Sequence, residues 1–599
     1  MADGQTSDAC YRTSQKIDLS GRQAVLIHSA SFLACCKPLS NLSLAGRHAR
    51  SSFIDASGDL LAKAMHLLVA LQLLTAVTAL HHIGAFHPQH HAQRQRPDED
   101  QALLFQTSND ASLDADPIKQ AWHTLPLDHF NDSSTTFRAR YWFDNQFYVA
   151  GGPVYILNGG ETSGAGRLPF MRTGILRLMS EATGGSSIIL EHRAYGKSLI
   201  GPDWKPANLK YLTTAQALAD VAHFAQHANL SLPSGSVLSL SSVEHRITIG
   251  GSYAGAQSAF LRRLYPDIFF GAIASSAVTH AQVDFWQYME TIRLRGPKQC
   301  IQSIVDTVAF VDSMLDLERS DLTRRLQRVF GLENVTVPAD FVNVLTTPLN
   351  YWQAANWDST VGLDVFASFC SRLTSTDSAV PDALTSSLLP SYAAHASFNA
   401  LGAYAAWIRE YVTAVCPEGA DQDACFGTYD DRAYQKDGPW RAWLWQVCTE
   451  WGYHIAAAPL NVTSLLSRRI TLAYVSKSCQ QSFGRDVPMW PNISRVNAYG
   501  DYGLSYDRLA FIDGQFDAWV EATPHASVAP PRNDTDEQPF WLIPRGGHHY
   551  DENGLLNRSA EPSQIKSVHA RELAFIKKWL AEDGGIYEAA SALRNSGGT

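Results

Sequence analysis

Charge is scarce in this chain: 18% of its 599 residues are Asp, Glu, Lys or Arg, against about a quarter in an average soluble domain. So little charge beside 45% hydrophobic residues excludes a disordered polymer and calls for a large interior. Basic runs are missing too. With 48 Lys and Arg against 58 Asp and Glu, net −10, no clustered cations are on hand for a phosphate backbone, which excludes nucleic acid as the expected partner. The same balance removes any strong pull toward anionic lipid. Cysteine is sparse, nine in all, and none stands in a CxxC pair, which excludes a zinc knuckle. No internal repeat is present, and no apolar run reaches the roughly 20 residues of a bilayer span. At roughly 150 residues per domain, the length suits about four domains or one large α/β domain carrying an insertion.

One segment reads as a leader. Met65–Leu80 is apolar, follows Lys63 and closes on the small residues Val77, Thr78 and Ala79. Its length fits the core of a signal peptide, taken as 65–79, better than a membrane span. Such a leader begins at a start codon, so residues 1–64 are expected to be a spurious or disordered extension. Beyond it remain Cys300, Cys370, Cys416, Cys425, Cys448 and Cys479, an even set that fits disulfides in an oxidising compartment, with fifteen pairings open. Asn-x-Ser/Thr acceptors at Asn131, Asn229, Asn334, Asn461, Asn492, Asn533 and Asn557 agree with secretion. The expectation is an extracellular, vacuolar or lysosomal protein with no membrane attachment once the signal is removed.

Residues 80–118 are rich in His, Gln and Asp and read as a disordered linker or pro-segment. Short apolar runs follow, at Pro153–Leu157, Ser187–Leu190, Arg246–Ile249 and Gly271–Ala274. They are rich in β-branched residues and do not alternate with polar ones, which suits strands buried on both faces of a parallel sheet. Helical stretches lie between them, at Leu212–Ala228 and Gln257–Tyr265. From 286 to 495 long helical stretches rich in Trp and Tyr dominate, and all six of the later cysteines fall there. Strand-like runs return at Arg508–Ile512 and Phe540–Ile543. A helix over Ser563–Ala581 is expected to bury Ile565, Val568, Leu573, Ile576 and Leu580. The pattern predicts an α/β domain over 119–285 and 496–585, interrupted by a helical insertion over 286–495, with 586–599 as a tail.

Ile247–Gly255 reads as strand, sharp turn and helix, with Ser252 at the apex. A nucleophile elbow needs small residues two before and two after its serine, because the strained backbone leaves no room for a large side chain. Gly250 and Ala254 fill those places. The Tyr253 amide, at the helix start, is placed to meet a developing oxyanion. A nucleophilic serine needs a base, and the base an orienting carboxylate. The loop after 508–512 offers Asp513 or Asp517, and the loop after 540–543 offers His548 or His549, in the Ser-Asp-His chain order of α/β-hydrolases. Spacing does not choose within either pair.

On these residues the chain resembles the serine peptidases that include lysosomal prolyl-Xaa carboxypeptidase, dipeptidyl peptidase II and thymus-specific serine protease. The matching motifs are Leu127-Asp128-His129-Phe130, Gly159-Gly160-Glu161, Glu191-His192-Arg193 with Tyr195-Gly196-Lys197-Ser198, and Leu209 through Thr214. Gly250-Gly251-Ser252-Tyr253, Cys448-Thr449-Glu450, the Asp517 loop and Gly547-His548-His549 complete them. The resemblance implies an α/β-hydrolase fold whose helical, disulfide-bonded insertion caps the active site, a Cys448–Cys479 disulfide and an acidic working pH. It selects Asp517, at the aspartate of the family's Asn-Gly-x-x-Asp-Pro-Trp pattern, over Asp513, which stands at the asparagine. It selects His548, the first of the His-His pair. Ala518 replaces the family's proline and Ala254 its commoner glycine, and neither change removes a reacting group.

The expected chemistry is acyl transfer by Ser252, His548 and Asp517, with Tyr253 and Gly160 supplying oxyanion donors and with no metal or organic cofactor. Glu161 and Glu450 are candidate anchors for a substrate's amino terminus, or else ion-pair partners of Arg193 or another arginine. Trp451 is a candidate wall for a proline ring, or plain core, and Trp519 is a further candidate substrate contact. The expected partners are peptides, cleaved by a secreted exopeptidase of carboxypeptidase or dipeptidyl-peptidase type, and a homodimer is compatible with the chain. The competing reading is a secreted carboxylesterase or lipase. It is disfavoured because Asn158-Gly159-Gly160-Glu161 stands where such enzymes often carry His-Gly-Gly-Gly.

Overall fold

The computed structural model describes residues 117–131, 134–375 and 397–583. The expected upstream extension, signal peptide and C-terminal tail, and nearly all of the linker, lie outside them. Eight strands form one sheet: β1 (Lys119–Pro126), β2 (Thr136–Asp144), β3 (Val154–Asn158), β4 (Ser186–Leu190), β5 (Arg246–Gly251), β6 (Gly271–Ser275), β7 (Leu509–Gly514) and β8 (Phe540–Ile543). Their spatial order is β1-β2-β4-β3-β5-β6-β7-β8. The β1–β2 and β2–β4 pairs are antiparallel, and every pair from β4 to β8 is parallel.

The runs read as buried strands form the parallel part, and every residue of β3 through β7 is buried. Strand alternation sorts their side chains into two layers. Val154 and Ile156 join the core with helices α2 (Thr214–His227) and α3 (Tyr253–Leu264), while Tyr155, Leu157, Ile247 and Ile249 pack with α1 (Ile175–Thr183) and α9 (Ser563–Glu582). Helix α9 departs from expectation at one position. Glu572 takes the buried face and Leu573 is only half-buried, because a turn of 3.6 residues carries the Ile565–Val568 stripe to 572, 575, 576 and 579. The sheet order, its parallel strands and the helices on both faces make this an α/β-hydrolase fold.

Between β6 and β7 lies the helical insertion, whose principal helices are α4 (Lys298–Leu315), α5 (Val365–Thr374), α6 (Ser397–Val415), α7 (Trp440–Gln446) and α8 (Leu472–Phe483). Its three disulfides are Cys300–Cys370, Cys416–Cys425 and Cys448–Cys479. The first ties α4 to α5 and the third fastens the turn after α7 to α8. The insertion sits on the loops that follow β7 and β8: Trp352 Nε1 donates to the Phe516 carbonyl at 2.7 Å and Trp357 Nε1 to the Tyr550 carbonyl at 2.8 Å. Among the described residues, the seven Asn-x-Ser/Thr asparagines named above are exposed. Among the described residues, no helix is long and apolar enough to cross a membrane.

Candidate active site

Ser252 ends the turn from β5 into α3 with φ +60° and ψ −123°, a left-handed backbone that most residues avoid. The surroundings explain why its neighbours are small. A Cβ on Gly250 would lie 2.4 Å from the Ala254 carbonyl oxygen, and one on Gly255 would lie 2.6 Å from that of Ser275. Ala254 is tolerated because its own Cβ faces Gly160, 3.4 Å from where a side chain there would start. The turn therefore brings the Gly159–Gly160 loop against the first turn of α3. Gly159 spends its N–H on the Leu190 carbonyl, at 2.8 Å. Tyr253 is the first residue of α3, so its N–H has no partner within the helix.

The loops after β7 and β8 separate the paired candidates. Asp517 Oδ2 lies 2.8 Å from His548 Nδ1, and its Oδ1 accepts the Trp519 N–H at 2.9 Å. Burial works to raise the Asp517 pKa, but the charge and hydrogen bond of His548, helped by Trp519 and the Ser276 hydroxyl, hold the carboxyl below its ordinary value. Asp513 is engaged elsewhere: Oδ2 pairs with His525 Nδ1 at 2.7 Å and Oδ1 accepts the Ala277 N–H. His549 turns away from Asp517, its Nδ1 lying 3.1 Å from Glu552 Oε2. Its pKa is lowered, by burial first and then by the charge of His548.

His548 Nε2 is buried and has no hydrogen-bond partner among the described residues. It is the atom left over for a serine hydroxyl, and such bonds are often long in ligand-free enzymes and tighten on substrate. The elbow and the histidine loop meet through Gly251, where a Cβ would lie 3.0 Å from the His549 ring and 2.5 Å from Glu552 Oε2.

Two contributors went unseen in the sequence. Ser276, with φ +44° at the end of β6, accepts the His549 N–H at 3.1 Å while its hydroxyl supports Asp517. Gln353, from the insertion, accepts from Trp519 Nε1 at 2.7 Å and from the Tyr288 hydroxyl at 3.1 Å. A positive φ and a contact across 166 residues leave no local sequence signal.

The remaining candidates divide. Trp519 is buried against Phe285, Tyr288 and Tyr453, its ring 6.5 Å from that of His548. Glu450 is a helix cap and not an open anchor. Its Oε2 accepts the Thr214 N–H at 2.8 Å and hydroxyl at 2.9 Å at the start of α2, and Oε1 lies 3.8 Å from Arg495. Burial, opposed by those bonds and by Arg495, raises its pKa. Trp451 is core: it is fully buried, donates to Thr214 Oγ1 and meets the Tyr253 ring edge-on at 5.1 Å. Glu161 is buried, and its charge reaches His192, Tyr195 and Tyr253. Arg193 pairs with Asp220 at 2.5 Å, with no bond to Glu450. Among the described residues, the grouping able to hold a cation is Glu244, His245 and Asp583, at the opposite end of β5 from Ser252.

The chain is 41% identical over 488 residues to a "Probable extracellular serine carboxypeptidase" of Arthroderma benhamiae, covering 76% of this chain and 68% of that one. It is 26% identical over 492 residues to serine protease vicPa of Bipolaris victoriae, covering 76% and 88%. Thymus-specific serine protease of Mus musculus matches at 26% over 450 residues, covering 72% and 82%. A model of the serine carboxypeptidase S28 family matches residues 125–572. On that match, and on the 41% identical relative, the chain belongs to the serine carboxypeptidase S28 family of serine peptidases.

Proposed function

We propose that this protein is a secreted serine exopeptidase that shortens peptides from the carboxyl end through an acyl-enzyme on Ser252. The observation that carries the reading is the Asp517–His548 contact of 2.8 Å, with the opposite ring nitrogen left available beside the elbow. Asp517 fixes the proton on Nδ1, which makes Nε2 the basic nitrogen. As Ser252 Oγ attacks the scissile carbonyl carbon, its proton passes to Nε2 and the carbonyl oxygen becomes an oxyanion. The Tyr253 and Gly160 N–H groups meet that charge, and losing one such donor typically costs about 3–4 kcal/mol of transition-state stabilisation. The imidazolium then protonates the leaving amine, the C–N bond breaks, and water repeats the sequence on the ester to release the acid and restore the hydroxyl. The carboxypeptidase direction is supported by the name of the 41% identical relative, and a preference for cleavage at proline by the family resemblance. Secretion is supported by the extracellular designation of that relative and by the exposure of the seven asparagine acceptors named above.

A fluorophosphonate probe should label the wild-type protein and not Ser252→Ala. Digestion of Xaa-Pro-Xaa and Lys-Ala-Xaa peptides with each terminus free or blocked then gives the direction. Loss of cleavage on amidating the carboxyl end supports the carboxypeptidase; release of N-terminal dipeptides from carboxyl-blocked peptides overturns it in favour of a dipeptidyl peptidase. A Ser252→Ala protein with undiminished turnover ends the serine assignment.

A further inference from the structure

The turn Gly164–Arg167 follows the Gly159–Gly160 loop and is locked to the sheet behind it. Gly164 donates its N–H to Glu191 Oε1 at 3.0 Å, and that carboxylate is held by Arg140 at 2.6 Å. A Cβ on Gly164 would lie 2.6 Å from the Trp142 ring, so the turn is packed hard against β2. Its last residue, Arg167, reaches back, and Nε donates to the Gly159 carbonyl at 3.1 Å. A Cβ on Gly160 would lie 3.5 Å from Arg167 Nη2 and 3.4 Å from the Ala254 Cβ. The guanidinium and the first turn of α3 therefore face each other across the space of one absent side chain. The same charge reaches His549, whose pKa is lowered by burial, by His548 and, least, by Arg167. Arg167 thus stands where the Gly159–Gly160 loop, the elbow and the histidine loop meet.

Among the described residues Arg167 forms no ion pair, and Nη1 and Nη2 donate to no protein acceptor. The carboxylate on the histidine loop, Glu552, gives its Oε2 to His549 Nδ1 at 3.1 Å. Arginine keeps its charge at any working pH, and with Nε tied down the two remaining nitrogens present a planar fork that matches the oxygens of a carboxylate. Anchored on a fixed turn, the side chain has little freedom left to lose on binding. It is also half-buried, where an opposite charge is screened less than at an open surface. Reach decides which carboxylate fits. When a single residue is removed from the carboxyl end, its α-carboxylate lies one residue's span, roughly 3.5 Å, beyond the scissile bond. A site for that group must border both the oxyanion donors and the histidine that protonates the leaving amine, and Arg167 borders both loops.

We propose that Arg167 is a specificity-determining residue whose Nη1 and Nη2 bind the α-carboxylate of the peptide's last residue while Ser252 attacks the bond before it. The assignment rests on the serine carboxypeptidase reading above and gives its direction a structural cause: the position that attracts a carboxylate terminus repels an ammonium terminus.

The full-length wild type, Arg167→Gln and Arg167→Lys are compared on Xaa-Pro-Xaa peptides with the terminus as free acid or amide and with Glu or Gln as the last residue. Arg167→Gln puts an amide nitrogen where Nε stands, so it can keep the Gly159 bond while removing the charge. Fluorophosphonate labelling and hydrolysis of a small uncharged ester report the triad separately. Arg167→Gln should raise KM on the free acids tenfold or more and collapse the acid-over-amide preference in kcat/KM, with labelling and ester hydrolysis near wild type. Arg167→Lys should recover part of the loss. The preference is a ratio within one preparation, so a variant that folds in low yield still reports it, and Arg167→Met serves as a second uncharged variant. An unchanged ratio overturns the proposal. So does an equal loss on acid, amide and ester, which would make Arg167 a prop for the Gly159 loop, and so does a penalty that follows Glu against Gln at the last residue. Wild type that resists labelling sinks the Ser252 reading, and wild type that labels but treats acid and amide alike sinks the carboxypeptidase direction. An acid preference that survives in Arg167→Gln sinks only this inference.

Discussion

At Ser252 a non-glycine residue holds a positive φ, which costs of order 1–3 kcal/mol and persists only where the surroundings enforce it. Here the enforcement is steric. Gly250 and Ala254 touch so closely that a methyl at 250 would drive into the Ala254 carbonyl. Gly250→Ala is therefore expected to fold with reduced stability and to lose most of its fluorophosphonate labelling rate, because the elbow must open to admit the extra carbon. The two aspartates after β7 allow a sharper test. Asp517 meets His548, whereas Asp513 meets His525. Asp517→Asn should lower kcat by about ten-thousand-fold, as expected when a triad histidine takes the wrong tautomer, while Asp513→Asn should keep kcat within a few-fold of wild type. Steady-state kinetics on one peptide substrate decides it, and equal losses from both variants would remove Asp517 from its special place.

Among the elements, α2 shows how a residue with a functional look turns structural. Thr214 begins that helix, and the Glu450 carboxylate, arriving from the insertion, accepts both its N–H and its hydroxyl. Glu450→Ala leaves a buried N–H without its acceptor, a loss of about 1–3 kcal/mol. It should lower the melting temperature while changing the kinetics of free and acetylated peptides alike; a KM effect confined to free amino termini would restore the anchoring role. The same contrast governs what the sequence made legible. Strands β3 to β7 could be read because burial on both faces leaves unbroken apolar runs, and the elbow because sterics force small residues at fixed spacing. Strands β1 and β2 could not, since β1 is half-exposed and mixes Lys119, Gln120 and His123 with its apolar residues. Of the three disulfides, Cys448–Cys479 alone was anticipated, through resemblance. Ser276 and Gln353 act through backbone geometry and contacts across the fold, which no local pattern encodes.

At the scale of the whole molecule, pH acts through carboxyls packed behind the histidine loop. Glu572 of α9 is fully buried near Asp551 and Glu552. Asp551 accepts the Ser275 hydroxyl at 2.6 Å, and its carbonyl receives His569 Nε2 at 3.0 Å, so the group joins β6, α9 and the segment after His548. Burial first, and neighbouring acidic charge second, raises Asp551 and Glu572 well above ordinary carboxyls. For these two the folded state holds protons that the unfolded chain releases above roughly pH 4. Their contribution is complete below that pH and is lost as pH rises through the folded values, by up to about 1.4 kcal/mol per group per pH unit. Other groups carry the opposite sign. Glu561 is held at about 2, with burial outweighed by His569, Leu555 and Arg558, and burial holds His192 at about 4. Each loses stability as pH falls, Glu561 from its ordinary value near 4.5 toward 2 and His192 from 6.5 toward 4. Above pH 6.5 both are silent, which isolates the raised carboxyls. The melting temperature should therefore decline as pH rises through the folded values of Asp551 and Glu572. Glu572→Gln, an isostere that needs no proton and whose amide can donate to the neighbouring carboxylates, should flatten that decline while matching wild type near pH 5. Melting curves across that range for the two proteins decide the point: parallel profiles would mean that Glu572 is ionised in the fold and that the acid preference of this core lies elsewhere.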